Sequence, residues 1–207
     1  MARQLARRGS VFLNVPFDSR YQPLFIALIA SLVALGKRPT CVLEVPGAGA
    51  TRRDRIIDHI AGCEMSIHDL SRVSLSRANA LMVPRFNMPF ELGLAIAISH
   101  FDRHHRKHGL VVLEERAHRL QLTLSDLNGL DPQVHGGTIR GIVRCMLNIF
   151  GGGTAGQLQR IEDATRDLSE FVRATVRASD SDDMFQADIF RQTIIAAADV
   201  VEAHCVD

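Results

Sequence analysis

Short apolar runs that suit a buried strand alternate with longer runs of helical period over the first two thirds of the chain. No other feature narrows the possible folds as much. VFLNV (11–15) is closed by Pro16 and followed by a helical run from Tyr21 to Gly36. PTCVLEV (39–45) is followed by Arg52 to Gly62, with Ile56, Ile57 and Ile60 at helical spacing. EMSIHDL (64–70) reads as a third strand and GLVVLEE (109–115) as a fourth, with a helix predicted between them from Pro89 to His108. Strands alternating with helices of about 10 to 20 residues imply βαβ units, a mostly parallel sheet and right-handed crossovers. The expected class is α/β: a flavodoxin-like, three-layer, doubly wound sheet.

After Glu115 the pattern weakens. The turn pairs Asn128-Gly129, Asp131-Pro132 and Gly136-Gly137 lie beyond LQLTL (120–124), which is expected to be a last edge strand or a loop over the sheet. A helix returns from Thr138 to Phe150, with Ile139, Ile142, Val143, Met146 and Ile149 on one face, and GGGTAGQ (151–157) then breaks it. Beyond the break, Leu158, Ile161, Leu168, Phe171, Val172 and Val176 form one stripe. SDSDD (179–183) makes a turn, and Met184 to Cys205 forms a second stripe. This reads as an α-helical hairpin. The expected division is an α/β domain over residues 1–150 and a hairpin over 151–207 that packs on the sheet domain, pairs with its copy, or does both.

Charge and cysteine usage narrow the partners. With 46% hydrophobic and 23% charged residues and a net charge of +1, the 207-residue chain fits neither disorder nor a strongly basic nucleic-acid binder. A small-molecule or protein partner is expected, with no nucleic acid. PLFIALIASLVALG (23–36) falls short of the roughly 18 apolar residues of a span, and MARQLARRGS is followed by no apolar signal region. A cytoplasmic protein without a membrane partner is therefore expected. Cys41, Cys63, Cys145 and Cys205 are far apart and form no C-x-x-C pair, which argues for reduced, mostly buried thiols. His100, His104 and His108, with His105 beside them, would share a helix face, but FDRHHRKHG reads as a basic helix end stopped by Gly109, and no metal is expected.

Open α/β sheets bind ligands at the carboxyl ends of their strands, so the residues just past each strand are the candidates. These are Asn14, Phe17, Asp18 and Tyr21 after the first, Arg52 after the second, Asp69, Ser71 and Arg72 after the third, and Arg85, Phe86, Asn87 and Glu91 at the next helix. One mouth is expected to gather Asp18, Tyr21, Arg52, Asp69, Arg72, Arg85, Asn87 and Glu91. Plain structural roles stand beside this. Asp18 reads as a helix cap, Asp69 as a loop acceptor and the arginines as surface charge. Glu91 reads as a first-turn acid bordering a core-facing stripe of Phe90, Leu94, Ala97, Ile98 and Phe101. No G-x-G-x-x-G, P-loop or G-x-S-x-G motif is present, which argues against dehydrogenases, P-loop nucleotidases and acyl-transfer hydrolases.

VFLNVPFDSRYQPLF, SIHDLSR and PRFNMPFELGLAIA, in that order within about residues 10–150, resemble the TIR-like and nucleoside 2-deoxyribosyltransferase-like superfamily, in particular a bacterial branch of TIR-like proteins. FELGLA is similar to the helix start that carries the active-site glutamate there, which implies that role for Glu91. FDSRY resembles the loop beside the bound nucleotide, and Asp69 matches the acid that ends the third strand of the deoxyribosyltransferases. Asn87-Met88-Pro89 replaces the Ser or Thr and Gly that often precede the glutamate. The resemblance implies an N-glycosidase-type enzyme cleaving or cyclising NAD or a related nucleotide, as a homo-oligomer, in bacterial antiphage defence. NAD would be a substrate, and no cofactor is expected. A single anion suits this chemistry because cleavage of a ribose C1′–N bond passes through an oxocarbenium-like state. Arg52, Arg72 or Arg85 would then neutralise phosphates, and Phe17, Tyr21 or Phe86 would stack on a base. The alternatives are a nucleoside 2-deoxyribosyltransferase or nucleoside hydrolase, and a non-catalytic nucleotide-sensing or assembly module.

Overall fold

The computed structural model describes residues 9–44, 51–73, 75–78, 81–101, 108–151 and 153–205. It is a five-stranded, all-parallel sheet with flanking helices and a C-terminal helical region, the three-layer α/β class that the alternation predicts. The chain divides into two compact units, one of residues 1–16 and 47–136, the other of residues 17–46 and 137–207.

The first unit holds four strands of the sheet: β1 (Ser10–Asn14), β3 (Met65–Asp69), β6 (Gly109–Glu114) and β7 (Gln133–Val134), in the order β1-β3-β6-β7. The fifth strand, β2 (Arg38–Thr40), belongs to the second unit. Leu13 lies opposite Ile67, Ile67 opposite Val111 and Glu114 opposite Val134. All five residues of β1 are buried, as parallel strands covered on both faces require. Close approach fixes one glycine. A Cβ at Gly109 would meet the Cβ of its pair partner Met65 at 2.8 Å. Helices α2 (Arg52–Gly62) and α3 (Asn87–Phe101) pack on each other, and α3 packs on β1, β3 and β6. Thr51 caps α2 by accepting the Asp54 N–H at 3.2 Å. Leu70, Met88, Leu92, Val112 and Leu120 form a buried apolar cluster in this unit.

Several expectations change here. The helix α3 begins at Asn87, two residues before Pro89, with the Phe90 N–H bonded to Phe86 O at 3.0 Å. Pro89 is then the third helical residue, where its missing N–H is still no loss. Glu91 is the fifth, so the first-turn reading fails. The core-facing stripe fails too. The buried residues of α3 are Met88, Glu91, Leu92 and Ala95, while Phe90 is 54% exposed and Phe101 77%. This helix is apolar on nearly every side, so periodicity could not select a face. His108 is not helical: it is buried just before β6, which dissolves the proposed histidine face, and His104 and His105 lie outside the described residues. LQLTL is neither strand nor loop but contributes most of the short helix α4 (Arg119–Thr123), because Leu120 and Leu124, four apart, both reach the apolar cluster. The edge strand is β7 instead. A hairpin of β4 (Leu75–Ala78) and β5 (Leu81–Pro84), which no pattern announced, precedes α3.

The second unit is built on α1 (Gln22–Ala34), which packs against α5 (Ile139–Phe150), α6 (Ala155–Ala178) and α7 (Ala187–Cys205). Thr138 and Thr154 cap α5 and α6 through bonds of 3.0 and 3.1 Å. The run PTCVLEV is strand only to Thr40. Thr40 Oγ1 donates to the Glu44 carboxylate and the Glu44 N–H bonds to Cys41 O, bending Val42–Glu44 into a 3-10 turn. Val143, Leu147, Leu158 and Ile161 form one buried cluster. Phe17, Phe25, Phe185 and Phe190 form an aromatic one, with Phe25 stacked on Phe190 at 5.7 Å between centroids. Phe190→Ala is expected to cost about 3–5 kcal/mol in urea denaturation, whereas Ile195→Ala, at a side chain 68% exposed, should stay within about 0.5 kcal/mol. Equal effects at the two positions would contradict this packing.

Candidate functional site

The carboxyl ends of β1, β3 and β6 each carry a buried polar side chain: Asn14, Asp69 and Glu114. Glu91 of α3, three residues after the Met88 carbonyl that Asn14 contacts, is 5% exposed. Among the described residues no hydrogen bond or ion pair reaches its carboxylate. Burial pushes its pKa up to about 7, and the charge of Arg52, at the start of α2, opposes that rise. A carboxylic acid kept without a partner in an enclosed place is costly to the fold, and such groups cluster at functional sites.

Asn14 is tied in place. Its Nδ2 lies 2.9 Å from His68 Nδ1 and 3.3 Å from the carbonyl oxygen of Met88, one helical turn before Glu91. His68 continues the chain. Its Nε2 lies 2.9 Å from Ser66 Oγ, which lies 2.9 Å from His108 Nε2, and His108 Nδ1 is 3.3 Å from Cys63 O. His68 is fully buried, and burial, with the nearby His108, pushes its pKa down to about 3. The ring is therefore neutral at ordinary pH.

A second network ends β3 and β6. Asp69 Oδ1 accepts the Ser71 N–H at 2.8 Å, and its Oδ2 lies 3.2 Å from His135 Nε2. Ser71 Oγ sits 2.9 Å from the same ring nitrogen. A nucleophilic triad needs the hydroxyl and the acid on opposite nitrogens, so this cluster is not built to activate Ser71. Glu114 pairs with Arg119 at 2.7 Å, and Arg119 also donates to Leu70 O. Burial raises the Glu114 pKa, against the pull of Arg119.

The remaining sequence candidates divide by unit. In the first, Arg52 and Asn87 are exposed at helix starts, Arg72 and Arg85 are half-buried, and Phe86 is 71% exposed. In the second, Asp18 Oδ1 accepts the Tyr21 N–H at 3.0 Å in the turn ahead of α1, whose cap residue is Tyr21 with no side-chain cap bond, so Asp18 is not the helix cap that its plain reading described. Tyr21 is buried, and the Phe17 ring packs against Phe25 and Phe185. Of the three rings considered for base stacking, Phe86 is thus the exposed one.

Sequence reasoning missed His68, Ser66, His108, Glu114, Arg119 and His135. For two of them a signal existed. Ser66 and His68 put polar side chains at alternate positions of a strand whose parallel neighbours demand burial on both faces. His135 and Arg119 lie where the pattern was weakest and gave none. The four cysteines form no disulfide, Cys41, Cys63 and Cys145 are buried, and burial raises the pKa of the Cys41 thiol. Among the described residues no three His, Cys, Asp or Glu side chains converge as a metal site, and no helix is long and apolar enough to cross a membrane. Comparison with protein-family models and with curated proteins returns no match.

Glu91 and His68 bend stability against pH in opposite senses. The contribution of Glu91, whose pKa is raised, is fully present below the ordinary carboxylate range and is lost as pH rises through about 7. That of His68, whose pKa is lowered, is present above the ordinary imidazole range and is lost as pH falls towards about 3. Glu91→Gln should therefore match the parent at pH 4.5 and exceed it above pH 7 by on the order of 1–3 kcal/mol in chemical denaturation. A variant no more stable at pH 8 would contradict the burial of this acid.

Proposed function

We propose that this chain is an N-glycosidase-type enzyme of the TIR-like and nucleoside 2-deoxyribosyltransferase-like superfamily, cleaving or cyclising NAD or a related nucleotide at the ribose C1′–N bond. The observation that supports the reading is the enclosed carboxylate of Glu91, which has no hydrogen bond among the described residues, on a helix that packs on the parallel strands. An ionised Glu91 would face C1′ and stabilise the oxocarbenium-like state, or trap it as a glycosyl ester. The nicotinamide of NAD leaves as a neutral base, so no general acid is needed. Water, or an internal nucleophile in cyclisation, then takes the sugar. Arg52 is the cation nearest in effect to Glu91 and suits the phosphates; Phe86 offers an exposed ring for a base. A homo-oligomer, a cytoplasmic location and a role in bacterial defence belong to the same proposal.

The pKa of about 7 at Glu91 favours one second reading, a nucleoside hydrolase or 2-deoxyribosyltransferase. There the departing base is neutral before cleavage and leaves readily only when protonated, which a carboxylic acid half-protonated near neutrality can assist.

Incubation with NAD, NADP and nucleosides, with and without a crowding agent, followed by chromatography for released base, separates these readings. Nicotinamide release that rises with pH through about 7 and falls about a hundredfold or more in Glu91→Gln is the expected result. Base release from nucleosides that falls over the same pH range would select the second reading. Release from none of them identifies a non-catalytic nucleotide-sensing or assembly module.

A further inference from the structure

The amide of Asn14 is held in one orientation. A primary amide has two N–H donors, and here both have an acceptor, His68 Nδ1 at 2.9 Å and Met88 O at 3.3 Å. Exchanging its nitrogen and oxygen would set one carbonyl oxygen against another at Met88, so the flipped amide is excluded on electrostatic grounds. The rest of the chain follows in one direction. With Nδ1 accepting, His68 carries its proton on Nε2 and donates to Ser66 Oγ. The Ser66 hydroxyl then donates to His108 Nε2, and His108 Nδ1–H points to Cys63 O at 3.3 Å. Each hydrogen is used once, and protonation of His68 would set an N–H against the Asn14 N–H, in keeping with the depressed pKa of this ring.

One atom is left over. Asn14 Oδ1 accepts no hydrogen bond among the described residues, although the residue is only 3% exposed. The oxygen is not sealed from solvent, so water or a ligand can reach it and donate to it. Its neighbour Met88 sits three residues before Glu91 on the same face of α3, so the orphan acceptor and the orphan acid belong to one end of the sheet. Both are acceptors when Glu91 is ionised, and a matching ligand must bring donors.

We infer that Asn14 Oδ1 is a preorganised, specificity-determining acceptor for a ligand hydroxyl, and that His68, in its Nε2–H tautomer and backed by Ser66 and His108, is the positioning residue that aims it. The inference rests on the proposed function and deepens it: a ribosyl ligand, which carries a hydroxyl that a 2-deoxyribosyl one lacks, is the preferred class. Sites built around such a bond discriminate strongly against an analogue without the hydroxyl.

Two measurements test it on the full chain. Nitrogen-15 NMR of the histidine rings should show His68 as the neutral Nε2–H tautomer from pH 8 down to pH 5. An Nδ1–H tautomer, or a ring that protonates in this range, overturns the positioning role without any variant or activity. Calorimetric titration of Glu91→Gln with NAD, adenosine and 2′-deoxyadenosine reads the acceptor. Adenosine should bind about tenfold or more tighter than its deoxy counterpart, and adding Asn14→Leu or His68→Leu should remove most of that preference. Binding with equal affinity for the ribo and deoxy forms overturns the acceptor while leaving the glycosidase reading intact. Binding of no probe, with product release also absent, overturns that reading and the ligand role of Asn14 with it.

Discussion

A strand buried on both faces must find a partner for every polar group that it carries, and β3 is the strand on which this demand falls hardest. It lies between β1 and β6, so its backbone is fully engaged in the sheet. Yet it carries Ser66, His68 and Asp69, all fully enclosed. The demand is met in two directions. Ser66 and His68 reach across to Asn14 of β1 and to His108 ahead of β6, and Asp69 reaches forward to Ser71 and His135. Unsatisfied, these groups would cost several kcal/mol between them. Satisfied, they join the strand ends, the loop after β3 and the start of α3 into one arrangement with defined hydrogen-bond directions.

Against that economy Glu91 stands out. Glu114 is also enclosed with a raised pKa, but Arg119 pairs with it. Asp69 has a backbone N–H and a histidine. Among the described residues Glu91 has no hydrogen bond or ion pair, and the field of Arg52 acts on it. Among the described residues these three acids thus differ in what they are given, and Glu91 is the one without a hydrogen bond or ion pair. A buried acid held by a distant charge alone carries a desolvation cost that an ion pair offsets at Glu114, and such costs cluster at functional sites.

Fold and site were legible to different depths. The apolar runs placed β1, β3, β6, α1, α2 and α5 almost to the residue: helical spacing marked α2 and α5, while β1 and α1 are continuous buried runs bounded by Pro16 and Gly36. The same rule failed in α3, where Phe90 and Phe101 are as apolar as Met88 and Leu92 and only packing on β1, β3 and β6 decides which pair is enclosed. It failed in LQLTL, whose period-2 look conceals the four-residue spacing of Leu120 and Leu124. Asn14, Asp69 and Glu91 could be singled out because strand ends and helix starts are readable. His135 and Arg119 could not, since they reach their partners across 66 and 5 residues of chain that no local pattern links.

By itself the sequence determined the α/β class, the alternation of elements and the clustering of polar residues just past the strands. These follow from local periodicity and from turn chemistry, which act over a few residues. Only the tertiary structure decided which face of α3 is covered, which acid goes unpaired and how the Asn14 amide is aimed. Those outcomes depend on desolvation and hydrogen-bond geometry between residues distant in the chain, and neither quantity exists until β1, β3, β6 and α3 are packed together.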